Sequence, residues 1–233
     1  MTNEEEQLAR QAKDFVKSHA KEIVARFADP VLHPPVDVPR SLFMAGSPGA
    51  GKTEFSKRLV ESIPEPIVRI DADEVREAIP QYTRSNSDVI QGAAALGVEK
   101  IIDSVLKHKQ HFILDGLLSK YEKAKSNIER CLARERRVDI FYVYQDPKVA
   151  WEFTKKREEI EGRHIPLEAF IEGFVKSREN ALFLKKDFGR DIELHVIQKN
   201  FENDVANFWL YTEEIDKFIP LSYTEDDLKG LLL

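Results

Sequence analysis

Residues 46–53 read Gly46-Ser47-Pro48-Gly49-Ala50-Gly51-Lys52-Thr53. Gly46, then four residues, then Gly51, Lys52 and Thr53 form the G-x-x-x-x-G-K-[ST] pattern of a phosphate-binding loop. Each position has a chemical reason. Glycines let the backbone turn at positive φ, so that successive N–H groups converge on an anion. A helix starting after the loop adds its positive end. Lys52 reaches the β- and γ-phosphates of a nucleoside triphosphate as a point charge, and the Thr53 hydroxyl is placed for Mg²⁺. An apolar run, LFMA, precedes the loop and a helical stretch, TEFSKRLVESI, follows it. That is the context the pattern needs.

Three further segments supply carboxylates and arginines. In Ile70-Asp71-Ala72-Asp73 an apolar run ends in two acids at spacing two. Ligands of a parallel sheet bind at the carboxyl ends of its strands, so both acids are expected beside the phosphate loop. One accepts the proton of an attacking hydroxyl and the other caps the short helix that follows. The run HFILD ends in Asp115, an acid expected at the metal side of the phosphates. In the segment 155–166, Arg157 rides on a helix that breaks at Gly162, and Arg163 follows on a loop before Pro166. Arginine forks suit the oxygens of a transferring phosphoryl group, and this helix–loop–helix is expected to be a lid.

The elements that must carry these residues alternate. Apolar runs at 42–45, 66–70, 111–115, 138–144 and 193–198 are separated by helical stretches near 52–63, 72–79, 87–107, 120–134, 147–160 and 166–186. The pattern predicts an α/β fold of the P-loop, nucleotide monophosphate kinase-like type, a mostly parallel sheet with helices on both faces. Residues 212–218 and 224–232 are expected as short helices. Ahead of the kinase domain (41–233, lid near 155–166) an amphipathic N-terminal helix spans residues 1–28, with capping-box spacing at Thr2 and Glu5. Four prolines make residues 29–40 an extended linker. The helix is expected to complete the core through its apolar stripe; the alternative is a brake on the nucleotide site.

Composition narrows the function. The chain has 233 residues, a net charge of −6 and one cysteine, Cys131, so an internal disulfide or a cysteine-held metal cluster is excluded. The acidic balance disfavours nucleic acid as a partner. No run approaches a bilayer span, and the charged start, MTNEEEQLARQAKDF, is unlike a secretory signal, so a cytoplasmic setting is expected. The six histidines lack metal-ligand spacing. After the last strand, Gln198-Lys199-Asn200-Phe201 lacks the base-reading signature of a GTPase.

Taken in order, SLFMAGSPGAGKT, VRIDADEVR, FILDG and the Arg157–Arg163 segment resemble the zeta toxin family over roughly residues 40–185. These are P-loop kinases, the toxic halves of bacterial toxin–antitoxin pairs. The resemblance implies Mg²⁺- and ATP-dependent phosphorylation of UDP-N-acetylglucosamine at the 3′-hydroxyl of the sugar, starving cell-wall synthesis, and a possible antitoxin partner. By position it makes Lys52 and Thr53 the phosphate-loop pair and Asp73 the catalytic base. Glu99 becomes an acid that binds the amino sugar, and Arg157 and Arg163 the lid arginines, here closer together than is usual in the family. One departure stands out. Where the family has acid-Gly-Thr this chain has Asp115-Gly116-Leu117, and Leu117 offers the substrate no hydrogen bond. Ser119 and Lys120 are the candidates to take over, with Asp71 and, from the polar loop QYTRSNSD, Asn86. The alternatives are a phosphotransferase acting on a nucleotide, nucleoside, dinucleotide or antibiotic, and a nucleotide-dependent regulatory protein without kinase chemistry.

Overall fold

The computed structural model describes residues 1–162, 164–202 and 204–233. The chain opens with two helices, α1 (Asn3–Ser18) and α2 (Ala20–Ala28), where the sequence suggests one. Thr2 and Glu5 form the capping box, each side chain bonded to the other's backbone N–H. The helix breaks at His19, whose ring stacks on Phe15 at 4.2 Å. Ala12, Val16, Ile23 and Ala28 are buried in the main core, packed on α5 (Ser87–Lys107). The N-terminal helices therefore pack on the main body through their apolar stripe. Gln110 anchors the proline-rich stretch behind them by donating to the carbonyls of Ala28 (3.2 Å) and His33 (2.7 Å).

The sheet comprises β1 (Arg40–Ala45), β2 (Ile67–Asp71), β3 (His111–Asp115), β4 (Arg137–Tyr144), β5 (Ile192–Lys199) and β6 (Val205–Trp209). Its order is β2-β3-β1-β4-β5-β6, and only the β5–β6 pair is antiparallel. The near-continuous apolar runs follow from burial on both faces. On one face, α3 (Lys52–Ser62) covers Leu42, Met44, Ile113, Phe141 and Val143 through Phe55. On the other, α5, α6 (Tyr121–Leu132) and α8 (Leu167–Phe188) cover a larger core that includes Phe43, Phe112, Ile140, Tyr142 and Leu194. Each such side chain contributes about 1.5–3 kcal/mol by leaving water. The remaining elements are α4 (Ala72–Glu77), α7 (Pro147–Glu161), a 3-10 turn (Gly189–Asp191) and α9 (Glu225–Leu232).

Near the C-terminus one expectation fails and one element was not foreseen. Residues 212–218 form no helix beyond one turn, closed by Ile219 N–H donating to the Ile215 carbonyl at 2.9 Å. Buried Arg178 of α8 captures the carbonyls of Ile219 (2.5 Å) and Leu221 (2.7 Å) and the Asp216 carboxylate (2.6 Å), which ties the segment down in irregular form. Strand β6 has no counterpart in the sequence reading. It is a mostly exposed edge strand whose pairing with β5 slips by a bulge at Gln198/Lys199, so it shows no buried run to detect.

Candidate active site

Strand β1 delivers the chain into residues 46–51, and α3 leaves from Lys52. Two glycines are sterically required. A Cβ on Gly46 (φ +143°) would sit 2.3 Å from the Val143 carbonyl oxygen, and one on Gly49 (φ +71°) 2.0 Å from that of Ala150. The loop is thus wedged between β4 and the first turns of α7. On its other side Pro48 lies against Gly173 of α8, where an added Cβ would come within 3.0 Å of the proline ring. Lys52 is buried and donates to the Ser47 carbonyl at 2.6 Å. Burial pushes its ammonium down to about 8; Asp115 opposes the shift and Arg157 adds to it. A buried lysine with a carbonyl for its partner is a cation with capacity left for an anion.

Beyond the loop stands a bank of carboxylates. Asp71 and Asp115 are register partners at the carboxyl ends of β2 and β3. Between them lies Arg69, which the sequence reading did not single out. Its guanidinium donates to Asp71 (2.6 Å), Asp115 (2.7 Å), Glu74 (2.5 Å) and the Ser56 hydroxyl (2.9 Å). Burial disfavours its charge, yet the bond to Asp115 and the charges of Asp71 and Glu74 hold its pKa above the ordinary arginine value. The signal for it was one charge inside an apolar strand run, PIVRI, which demands buried partners. Ser56 of α3 also donates to Asp115 at 2.8 Å. Burial, and then the charge of Asp115, raise the pKa of Asp71. Asp71 uses its other oxygen to cap α4, accepting from the Asp73 N–H at 2.9 Å.

Asp73, in the first turn of α4, is more exposed and pairs with buried Arg76, which also donates to Gln91 of α5. Arg76 therefore ties the base candidate to the helix behind it. The two acids of the I-D-x-D run have divided roles: Asp71 is locked by Arg69 and the helix cap, and Asp73 is the one turned toward solvent.

α7 forms the opposite wall. Phe153, Lys156, Arg157 and Ile160 recur at helical spacing, and they enclose a cavity of about 280 Å³ against Gly49, Gly51, Lys52, Thr53 and Glu54. Arg157 is thus brought to the phosphate loop. Gly162 ends the helix at φ +71°. Arg163 lies outside the described residues.

The remaining candidates are more scattered. Glu99 faces the seam of α5 and α6, paired with Lys123 (2.5 Å) and Arg130 (3.1 Å). Asn86 braces residues 81–86, accepting from the Thr83 N–H (3.0 Å) and donating to the Gln81 carbonyl (2.8 Å). Ser119 is half-buried and Lys120 exposed at the start of α6. Leu117 points at Gly173, its Cδ1 3.6 Å from a Cβ placed there, so it packs beside Pro48 and the phosphate loop. Leu118 adopts φ +57°, unusual for a branched residue, and buried Asn180 holds its carbonyl at 2.9 Å.

No described helix is long and apolar enough to cross a membrane. Similar folds occur in several solved structures. One, from the PezAT chromosomal toxin–antitoxin system of Streptococcus pneumoniae, is 16% identical with a TM-score of 0.67, covering 94% of this chain and 89% of that one. The AvrRxo1-ORF1:AvrRxo1-ORF2 complex with sulphate ions gives 14% identity, a TM-score of 0.64 and coverage of 93% and 75%. The same complex with ATP gives 12%, 0.64, and 94% and 75%. At these identities the likeness is one of fold. No curated protein sequence matches the chain. The sequence itself matches the Zeta toxin family model over residues 25–212, from the end of the N-terminal helices through β6, so the chain belongs to the zeta toxin family.

Proposed function

We propose that the protein is an ATP-dependent kinase of the zeta toxin type. One observation carries this reading: a buried, incompletely partnered Lys52 and an arginine-bearing helix face the same cavity, with a bank of carboxylates at the neighbouring strand ends. The loop N–H groups and Lys52 hold the β- and γ-phosphates, and Arg157 covers the γ-phosphoryl group. Asp73 accepts the proton as the acceptor oxygen forms its bond to the γ-phosphorus. The bond from that phosphorus to the β–γ bridging oxygen breaks, and ADP leaves with the electron pair. Arg76 keeps Asp73 aimed, and Arg69 keeps the neighbouring carboxylates from repelling one another and the phosphates. From the family pattern, Arg163 is proposed as a second lid arginine and Asn86, Ser119, Lys120 and Glu99 as acceptor contacts.

Among the described residues no three His, Cys, Asp or Glu converge on a metal. Asp115 and the Thr53 hydroxyl nevertheless suit Mg²⁺, a hard cation that binds through one or two protein oxygens and keeps its phosphates and waters. When bound it offsets charge on the β- and γ-phosphate oxygens.

The proposed acceptor is the 3′-hydroxyl of a UDP-activated amino sugar, UDP-N-acetylglucosamine, in the cytoplasm, with an antitoxin as the protein partner. Residues 41–233 constitute the kinase and 1–28 its structural brace. Leu117 favours a second reading, another hydroxyl acceptor, because it presents hydrocarbon beside Pro48. The test is incubation with Mg²⁺ and ATP, first with a nucleotide-sugar panel and then with a metabolite extract, followed by mass spectrometry. One product heavier by a phosphate on UDP-N-acetylglucosamine supports the first reading. A product on another metabolite supports the second. Absence of any phosphorylated product overturns both.

A further inference from the structure

The inner face of α7 carries more than Arg157. Four side chains at helical spacing, Phe153, Lys156, Arg157 and Ile160, line the same cavity as Lys52 and Thr53. Two lysines stand side by side on this helix and their surroundings differ. Lys155 pairs with Glu152 at 2.5 Å on the outer face. Lys156 makes no ion pair among the described residues; its ammonium lies 5.7 Å from the Phe153 ring centroid, over the ring. The ring and the lysine stem pack together and limit where the charge can go.

The electrostatics of the cavity give that charge a use. Its lining holds three cations, Lys52, Lys156 and Arg157, and one carboxylate, Glu54. The positive end of α3 points the same way. Lys52 and Arg157 repel one another there, and a polyphosphate removes that repulsion. A lysine ammonium on a flexible stem suits a phosphate chain whose oxygens are spread along its length.

Resting on the nucleotide site proposed above, we infer that Lys156 is a further phosphate-contacting residue and that Phe153 positions it. Because Lys156 is exposed, its substitution leaves the core intact. The test is calorimetric titration of the full chain with Mg-ATP, ADP and adenosine, alongside steady-state ATP kinetics. Lys156→Gln is expected to weaken ATP about tenfold, the effect of one charge contact, to weaken ADP less and to leave adenosine unchanged. The KM for ATP rises more than kcat falls, and Lys156→Arg recovers most of the loss. Phe153→Leu, which frees the lysine, gives a smaller loss in the same order. Lys155→Gln leaves all three affinities unchanged. ATP affinity of Lys156→Gln within twofold of the parent, an equal loss for adenosine, or an equal loss in Lys155→Gln overturns the inference. Failure of the parent chain to bind any nucleoside triphosphate overturns the nucleotide site itself, and this inference with it.

Discussion

Arg69, half-buried, and Arg136, buried, sit against the same sheet at opposite ends and among opposite company. Arg69, toward the carboxyl ends of the strands, donates to three carboxylates and a hydroxyl. Arg136, at the amino ends, donates to the Ser41 hydroxyl (2.6 Å) and the carbonyls of Arg40 (2.9 Å) and Gln110 (2.6 Å), over the Phe112 ring. Burial pushes its pKa down to about 10, whereas that of Arg69 is held above the ordinary value. Each end also has a cavity of about 280 Å³ with two or more cations in its lining. The amino-end cavity is lined by Arg40, His111, Arg137 and Glu65. Its histidine is engaged, accepting the Arg40 N–H at 2.9 Å.

Size and basic side chains therefore do not distinguish the two cavities; the backbone does. Helices α3, α5 and α6 end near the amino ends of the strands, where their partial negative charge is offset by the arginines. At the carboxyl end α3 begins, so Lys52, Lys156 and Arg157 add to a positive end. Cations at one end offset the negative ends of helices, and at the other they add to the positive start of α3.

The sharpest test of this contrast removes chemistry at the carboxyl end. Lys52→Ala and Asp73→Asn are each expected to cost ~10²–10⁴-fold in turnover. Thermal unfolding of Lys52→Ala stays close to that of the parent, whereas Asp73→Asn lowers it because buried Arg76 loses the charge opposite it. Asp73→Asn keeps nucleotide affinity, and a larger loss in Asp71→Asn would reverse the assignment of the two acids. Next in size is a packing change away from both cavities. Ile23→Ala, where α2 meets the core, should cost about 2–5 kcal/mol in denaturant unfolding. Nucleotide affinity should be unchanged; a gain in affinity or rate would revive the idea of a built-in brake. At the amino end, Arg136→Met should destabilise by about 1–3 kcal/mol, through acceptors left without donors, and leave turnover per folded molecule intact. A tenfold fall in turnover would erase the contrast between the ends.

The smallest expected effect is one of pH. Lys52 in the ligand-free protein titrates near 8, and bound phosphates would raise its pKa by holding it charged. ATP affinity is then full below pH 8. It falls as pH rises through 8, by at most ~10-fold per unit, with proton uptake on binding. Calorimetry in buffers of different ionisation enthalpy measures that uptake. Its absence at pH 9 would mean that Lys52 is not the group that answers the phosphates.

The sequence by itself determined the parts whose physics is local. Gly46 to Thr53 is legible because a tight anion-binding turn tolerates few residue types. The buried strands are legible because several are apolar nearly throughout, as burial on both faces requires. The capping box at Thr2 and the stop at Gly162 are equally short-range. Tertiary structure decided whatever depends on distant partners. Asp71 and Asp73 look alike in sequence, and each has a nearby arginine, Arg69 two residues from one and Arg76 three from the other; the fold tells them apart by holding Arg69 among the strand-end carboxylates and tying Arg76 to Gln91 of α5. Arg69 itself needed Asp115, 46 residues away, before its burial had a reason. Strand β6 exists by pairing with β5, and Arg178 overrode the helical tendency of residues 212–218 by taking their neighbours' carbonyls. Lys155 and Lys156 are adjacent and identical in the chain. The 100° turn between them puts one against Glu152 and the other over the phosphate loop.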